Sequence, residues 1–145
     1  MKKEIDRRMH SAEHILNQTM DRMFLCGRCI SAHIERKKSK CDYRLNRPLS
    51  EDEVRKIERQ VNEVIHADIS VTEEYVTKDE AQKRHNLERV PSDGGDRIRI
   101  VTIGDYDSCP CIGPHVGSTK EIGEFVISSA SFNNGVLRIR YKLKR

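Results

Sequence analysis

The sequence predicts an α+β fold in two layers, with helices packed on a mostly antiparallel sheet. Three observations carry this prediction. Two long segments place apolar residues at helical spacing, several short ones alternate apolar with polar residues, and Asn133-Asn134-Gly135 near the C-terminal end is a hairpin turn signal. At 145 residues the chain is long enough to bury one core, so a single domain over 1–145 is expected.

The first helix is expected from about Ile5 to Leu25, where Ile5, Met9, Ala12, Leu16, Met20 and Met23 follow helical spacing and Gly27 supplies a stop. Cys29 to Leu45 reads as a hairpin turning through Lys37-Lys38-Ser39-Lys40, with Ile30, Ala32 and Ile34 on one face and Ser31 and His33 on the other. Ser50-Glu51-Asp52-Glu53 is a capping box that opens a second helix, whose stripe of Val54, Ile57, Val61, Val64 and Ile65 ends near His66.

A strand over Ile69–Val76 then leads to Thr77-Lys78-Asp79-Glu80, a second capping box for a short helix to about His85. Pro91–Asp96 has loop composition, and Arg97–Ile103 alternates as a strand that delivers the chain to the Cys111 region. The final hairpin runs from Glu124 to Arg145. In its second strand Leu137, Ile139, Tyr141 and Leu143 point one way, and Arg138, Arg140, Lys142 and Lys144 the other. That row of cations suits phosphate contact, and equally suits a charged sheet edge that resists aggregation.

Hydrophobic residues at 36% and charged residues at 34% describe a folded chain with a wet surface and argue against disorder. The net charge of +4 permits a polyanionic partner without requiring one. No apolar run is long enough for a signal peptide core or a membrane span, so a cytoplasmic protein without a membrane partner is expected. Five cysteines, an odd number, favour burial or thiolate chemistry over a disulfide framework. Nothing in the sequence sets an oligomeric state.

Chemistry concentrates in two pairs. His10 and His14, four residues apart on a helix, lie on one face and can aim at a single atom. Cys111 and His115, four apart on a Pro- and Gly-broken loop, can curl round the same atom. Three imidazoles and one thiolate are ligands that suit Zn2+ in a tetrahedral site. Glu13 lies near the same helix face, either as a group that positions water or ligands or as a solvated surface carboxylate. Cys109, two residues before Cys111, offers an alternative ligand or a nucleophile. A rival grouping, Cys26-Cys29-His33-Cys41, is a near miss to a zinc knuckle; on a strand, Cys29 and His33 would stand about 13 Å apart, too far for one metal.

The order His10-x3-His14, then Cys111-x3-His115, followed by Val116-x2-Thr119-x-Glu121-Ile122-Gly123, resembles the editing domain shared by alanyl-tRNA synthetase, threonyl-tRNA synthetase and the free-standing AlaX proteins. Glu121-Ile122-Gly123 is similar to the alanyl branch, and Gly113-Pro114-His115-Val116 to the threonyl branch. The resemblance implies hydrolysis of mischarged aminoacyl-tRNA at the acceptor end, foremost Ser-tRNA(Ala), with Ser-tRNA(Thr) as alternative and a zinc-stabilised RNA-binding module as the non-catalytic rival. It implies His10, His14, Cys111 and His115 as metal ligands. It also places the Cys29–Leu45 hairpin at the amino-acid pocket, which makes Ser31 and His33, with Glu13 and Cys109, candidate pocket residues. Arg138, Arg140, Lys142 and Lys144 are candidate tRNA contacts. The chain is too short to hold a synthetase catalytic domain as well, so no ATP site is expected.

Overall fold

The computed structural model describes residues 6–84 and 97–144, except the side chain of Arg84. Its elements run α1 (Arg7–Phe24), β1 (Ser31–His33), β2 (Ser39–Arg44), α2 (Glu51–His66), β3 (Val71–Thr77), α3 (Lys78–Arg84), β4 (Arg97–Ile103), β5 (Asp107–Pro110), a 3-10 turn (Thr119–Ile122), β6 (Glu124–Asn133) and β7 (Val136–Lys144). The strands form two antiparallel sheets, ordered β1-β2-β7-β6 and β3-β4-β5. The predicted α+β class therefore holds, with the sheet in two pieces. Ile5, His85, the Pro91–Asp96 loop and Arg145 lie outside the described residues.

α1 starts where the Asp6 carboxylate accepts from the Met9 amide at 3.0 Å, an N-cap that satisfies an otherwise orphaned donor. It ends at Phe24, within one residue of the expected end, and Leu25 in place of Gly27 takes the left-handed conformation of the cap, with φ 55°. α2 carries the predicted capping box with both reciprocal bonds, Ser50 Oγ to the Glu53 amide and the Glu53 carboxylate to the Ser50 amide. Its Ile57, Val61, Val64 and Ile65 are buried, each contributing about 1.5–3 kcal/mol.

The core lies between α1, α2 and one face of the four-stranded sheet, where Tyr43, Leu137, Ile139 and Tyr141 are fully buried. Two of these tyrosines fix α1 against the sheet: Tyr141 donates to the Met9 carbonyl at 3.0 Å, and Tyr43 donates to Asn17 Oδ1 at 2.7 Å. The β6–β7 hairpin turns through Asn134 and Gly135, both with positive φ, as a two-residue turn of this handedness requires.

β7 is an interior strand, paired to β2 on one side and β6 on the other. Its cations therefore do not guard a sheet edge, which overturns that reading. Arg138 pairs with Asp42 on β2, at 2.8 Å from Nε to Oδ1, and Lys144 with Glu124 at 3.5 Å.

The segment after His115 is structural. Thr119 Oγ1 donates to the Val64 and Ile65 carbonyls and accepts from the Ile69 amide, tying the 3-10 turn to the end of α2. Gly123, at φ 91°, leaves no room for a side chain, since a Cβ there would stand 2.7 Å from the Lys144 carbonyl oxygen.

Candidate metal centre

α1 presents His10, Glu13, His14 and Asn17 toward β5 and the loop that follows it. Two anchors hold that loop. The Cys111 amide donates to the Arg99 carbonyl on β4 at 3.1 Å, and the Arg99 guanidinium donates to the Gly113 carbonyl at 2.6 Å while pairing with Glu73. At its far end the Val116 amide donates to Ser11 Oγ at 3.1 Å, which fastens the loop to α1 one residue after His10.

The two anchors bring the four separated residues together. The ligand atoms of His10, His14, Cys111 and His115 all lie within 4.8 Å of one another. The three imidazole centroids are 4.1, 4.4 and 5.1 Å apart, and Cys111 Sγ stands 3.4 Å from His10 Nε2.

The hydrogen bonds around the rings suit metal binding. His10 Nδ1 stands 3.0 Å from the Pro114 carbonyl, which can only accept, so Nδ1 carries the proton and Nε2 keeps a free lone pair. His115 Nδ1 meets Ser11 Oγ at 2.9 Å, and its Nε2 is buried with no hydrogen-bond partner. An unpartnered buried imidazole nitrogen aimed among two imidazoles and a thiol is what a metal ligand looks like without its ion. The donor set of three nitrogens and one sulfur fits a tetrahedral borderline-soft cation.

His14 is held from behind. Its Nδ1 lies 3.3 Å from Cys109 Sγ and 3.6 Å from Asp107 Oδ2, which leaves Nε2 for the other donors. Asp107 is in turn clamped by Arg28, at 2.7 Å, and by Gln18 Nε2, at 3.0 Å. Burial alone would raise the Asp107 pKa, but His14 and Arg28 outweigh it and hold the carboxyl well below its usual range. Burial likewise works against a charged His14, and Asp107, Cys109 and Cys111 overcome it, so His14 titrates well above the ordinary histidine value.

The remaining members divide in the same terms. Burial pushes the Cys111 thiol up, but His10 and His14 bring it down to about 6. Burial, followed by the charges of His14, His10 and Arg99, brings His115 down to about 2.

The site opens on a cleft of about 540 Å³ lined by Glu13, Asn17, Arg28, Cys29, Ile30, Ala32 and Ile112, together with His10, His14, Cys109 and Cys111. Glu13 is no solvated surface residue: its side chain is 13% exposed, with Oε1 3.7 Å from His10 Nε2 and Oε2 3.5 Å from Cys29 Sγ. Cys109 sits beside Asp107 against His14 and stays outside the group of four.

The structure does not bring Ser31 and His33 to the cleft. The β1 pleat turns Ile30 and Ala32 toward it, while Ser31 meets Asp42 at 3.3 Å on the opposite face and His33, with a side chain 63% exposed, meets Glu35 at 3.3 Å. The knuckle grouping does not assemble either. Cys26 Sγ donates to the Met20 and Gly27 carbonyls, and His33 is on the solvent face.

Ser11, Arg28, Arg99 and Asp107 are neighbours of the site that sequence reasoning did not single out. Ser11 had a signal, its place inside the His10–His14 pair. Asp107, Arg28 and Arg99 had none, because only the packing of β4 and β5 on α1 brings them to the histidines.

Fold and site together define a small α+β domain whose first helix and a distant loop build a metal-capable cage at the wall of a cleft. Residues 98–140 match the family described as Threonyl and Alanyl tRNA synthetase second additional domain. Over most of its length the chain is similar to alanine–tRNA ligases. That of Treponema denticola is 34% identical over 143 residues, covering 93% of this chain and 23% of the ligase. Those of Coxiella burnetii and Aeropyrum pernix are 33% and 34% identical, covering 91% and 92% of this chain and 16% and 15% of each ligase. The chain thus spans less than a quarter of the length of these relatives. Its likeness is to the second additional domain that threonyl- and alanyl-tRNA synthetases share, over residues 98–140, and to part of the alanine–tRNA ligases. Among the described residues no helix is long and apolar enough to cross a membrane.

Proposed function

We propose that this chain is a trans-editing hydrolase that cleaves the ester of a mischarged aminoacyl-tRNA, foremost Ser-tRNA(Ala). The observation that supports it best is the cage of His10, His14, Cys111 and His115 beside a cleft with room for an aminoacyl end, in a chain similar to alanine–tRNA ligases over nine-tenths of its length. A pocket that accepts alanine cannot strongly exclude serine, because one added hydroxyl costs too little, so correct charging needs a second site that removes the error.

In this reading zinc, held by those four residues, supplies a fixed positive charge that polarises or orients the aminoacyl end. The chain's own groups do the rest. The Pro114 carbonyl fixes the tautomer of His10, Ser11 holds the His115 ring, and Asp107 orients His14. Glu13 projects its carboxylate into the cleft, where it can position the attacking water and take its proton. Water adds to the ester carbonyl, the ribose oxygen leaves with a proton, and free amino acid and tRNA are the products.

The acceptor end would be guided along the solvent face of the four-stranded sheet. There Arg140 and Lys142 carry the phosphate contacts, because Arg138 and Lys144 are already paired with acids. Gly113-Pro114-His115-Val116, with the threonyl half of the family description, keeps Ser-tRNA(Thr) as the second substrate to test.

The test offers Ser-tRNA(Ala), Ser-tRNA(Thr) and Ala-tRNA(Ala) to the purified chain. At least one seryl species should lose its serine much faster than the alanyl one, since polar groups that bond the serine hydroxyl go unpaired with alanine, at about 1–3 kcal/mol each. Binding of tRNA with no release above the spontaneous rate would replace the hydrolase by an RNA-binding module.

A further inference from the structure

We propose that Glu13, Cys29 and Cys41 form a second divalent-metal site of the zinc and cadmium class, separate from the four-residue cage and sharing its cleft. The proposal does not rest on tRNA editing. The three ligand atoms lie within 4.8 Å of one another, and the Glu13 Oε2 to Cys29 Sγ edge is already 3.5 Å. In a tetrahedral site with metal–sulfur bonds of about 2.3 Å and metal–oxygen bonds of about 2.0–2.2 Å, neighbouring ligands stand about 3.5–3.8 Å apart. A small adjustment of rotamers closes the set.

Three separate parts of the fold fix these donors. Glu13 is on α1, and Cys41 is on β2 opposite Ala32. Cys29 is held between them, its amide directed to Asn17 Oδ1 at 3.3 Å and the next amide, of Ile30, to the Asp42 carbonyl at 2.8 Å. Both thiols are buried, at 5% and 0% exposure. Two buried thiols facing a carboxylate, one of them already directed at it at 3.5 Å, form a donor set of the zinc and cadmium class. A divalent cation would neutralise two thiolates and leave one net negative charge with Glu13, close to Arg28.

The carboxylate divides its oxygens between the two donor sets: Oε2 faces Cys29, and Oε1 faces His10 Nε2 at 3.7 Å. Glu13 thus stands between two neighbouring sites. The cage offers four donors and is closed, whereas this one offers three and has its remaining position toward the cleft that Glu13 and Cys29 line.

The test strips the purified chain with a chelator and titrates it with cadmium, following the thiolate-to-metal charge-transfer band and the bound metal. Two equivalents are expected. Cys111→Ser should keep a band that disappears when Cys29→Ser and Cys41→Ser are added. Glu13→Gln, which leaves both thiols in place, should weaken the second equivalent by about tenfold or more and leave the first intact. A single equivalent in the wild-type chain overturns the proposal. So does a band in Cys111→Ser that ignores Cys29 and Cys41, which would assign it to Cys26 or Cys109. Should the double serine variant fail to fold, Glu13→Gln decides alone, and two unweakened equivalents in it refute the site.

Discussion

Replacing Asp107 by Asn should damage stability and metal affinity together, by separable amounts. The Asp107 side chain is fully buried, and it accepts from Arg28 at 2.7 Å and from Gln18 at 3.0 Å while facing His14 at 3.6 Å. Removing one member of a buried ion pair costs about 3–5 kcal/mol when the other charge is left stranded. Arg28 keeps 34% of its side-chain exposure and can recover part of its hydration, so the lower end, about 3 kcal/mol, is expected. For a chain of this size each kcal/mol moves the melting temperature by about 3 °C, which gives a loss of about 10 °C by calorimetry.

An amide also holds the His14 ring less firmly than a carboxylate does. Metal affinity measured by competition with a chelator should fall about 10–100-fold, as it does when a group supporting a metal ligand is removed. A melting temperature within about 2 °C of wild type would show that the Arg28–Asp107 pair contributes little. Unchanged metal affinity in the folded variant would remove Asp107 from the support of His14.

Metal-free protein should show a pH signature from the same cluster. The depressed Asp107 pKa gives stability that is complete above about pH 4 and is lost only as the pH falls further. The raised His14 pKa gives stability that is complete below about pH 6.5 and is lost as the pH rises through the folded value, so denaturant midpoints should decline on the alkaline side. Cys111 in metal-free protein should alkylate with a rate that is half-maximal near pH 6, where its thiolate forms, and added zinc should suppress the reaction. Charge reversal of Arg140 and Lys142 should flatten the salt dependence of tRNA binding by about 0.9 per lost contact in log–log slope, with the fold intact by circular dichroism. Ser50→Ala should lower stability by about 1 kcal/mol without touching metal affinity, as an N-cap far from the site requires.

The helices and strands were legible because each carries a local signal. The Ser50 capping box, the Arg97–Ile103 alternation and the Asn134-Gly135 turn recur as elements of the structure at those positions. What failed was pairing. The alternation of β7 shows which residues face solvent, yet only the sheet order reveals that β7 is interior and that Asp42 neutralises Arg138. In the β1 hairpin, the resemblance that puts the hairpin at the pocket pointed to Ser31 and His33, but it is the other, apolar face, with Ile30 and Ala32, that lines the cleft. The cage residues were legible as two pairs, since each is local to one helix or loop. Asp107 and the Cys29–Cys41 contact were not, because they depend on which elements lie side by side.

Glu13 joins these observations into one argument about how the site works. A metal held by His10, His14, Cys111 and His115 would have four protein donors, and a full tetrahedral set would hold structure more readily than bind a reacting water. Chemistry beside such a cage needs another group, close enough to feel its charge and free to move a proton. Among the described residues the Glu13 carboxylate meets that requirement through Oε1, which lies in the cleft wall 3.7 Å from His10 Nε2, while Oε2 is turned to Cys29; unlike Asp107 it is not clamped by an arginine. Glu13→Gln should therefore separate the roles, keeping the fold and the cage metal while lowering turnover of a seryl-tRNA by about 100-fold or more, the contribution typical of a positioned base. Turnover within a few fold of wild type would return the chemistry to the cage itself.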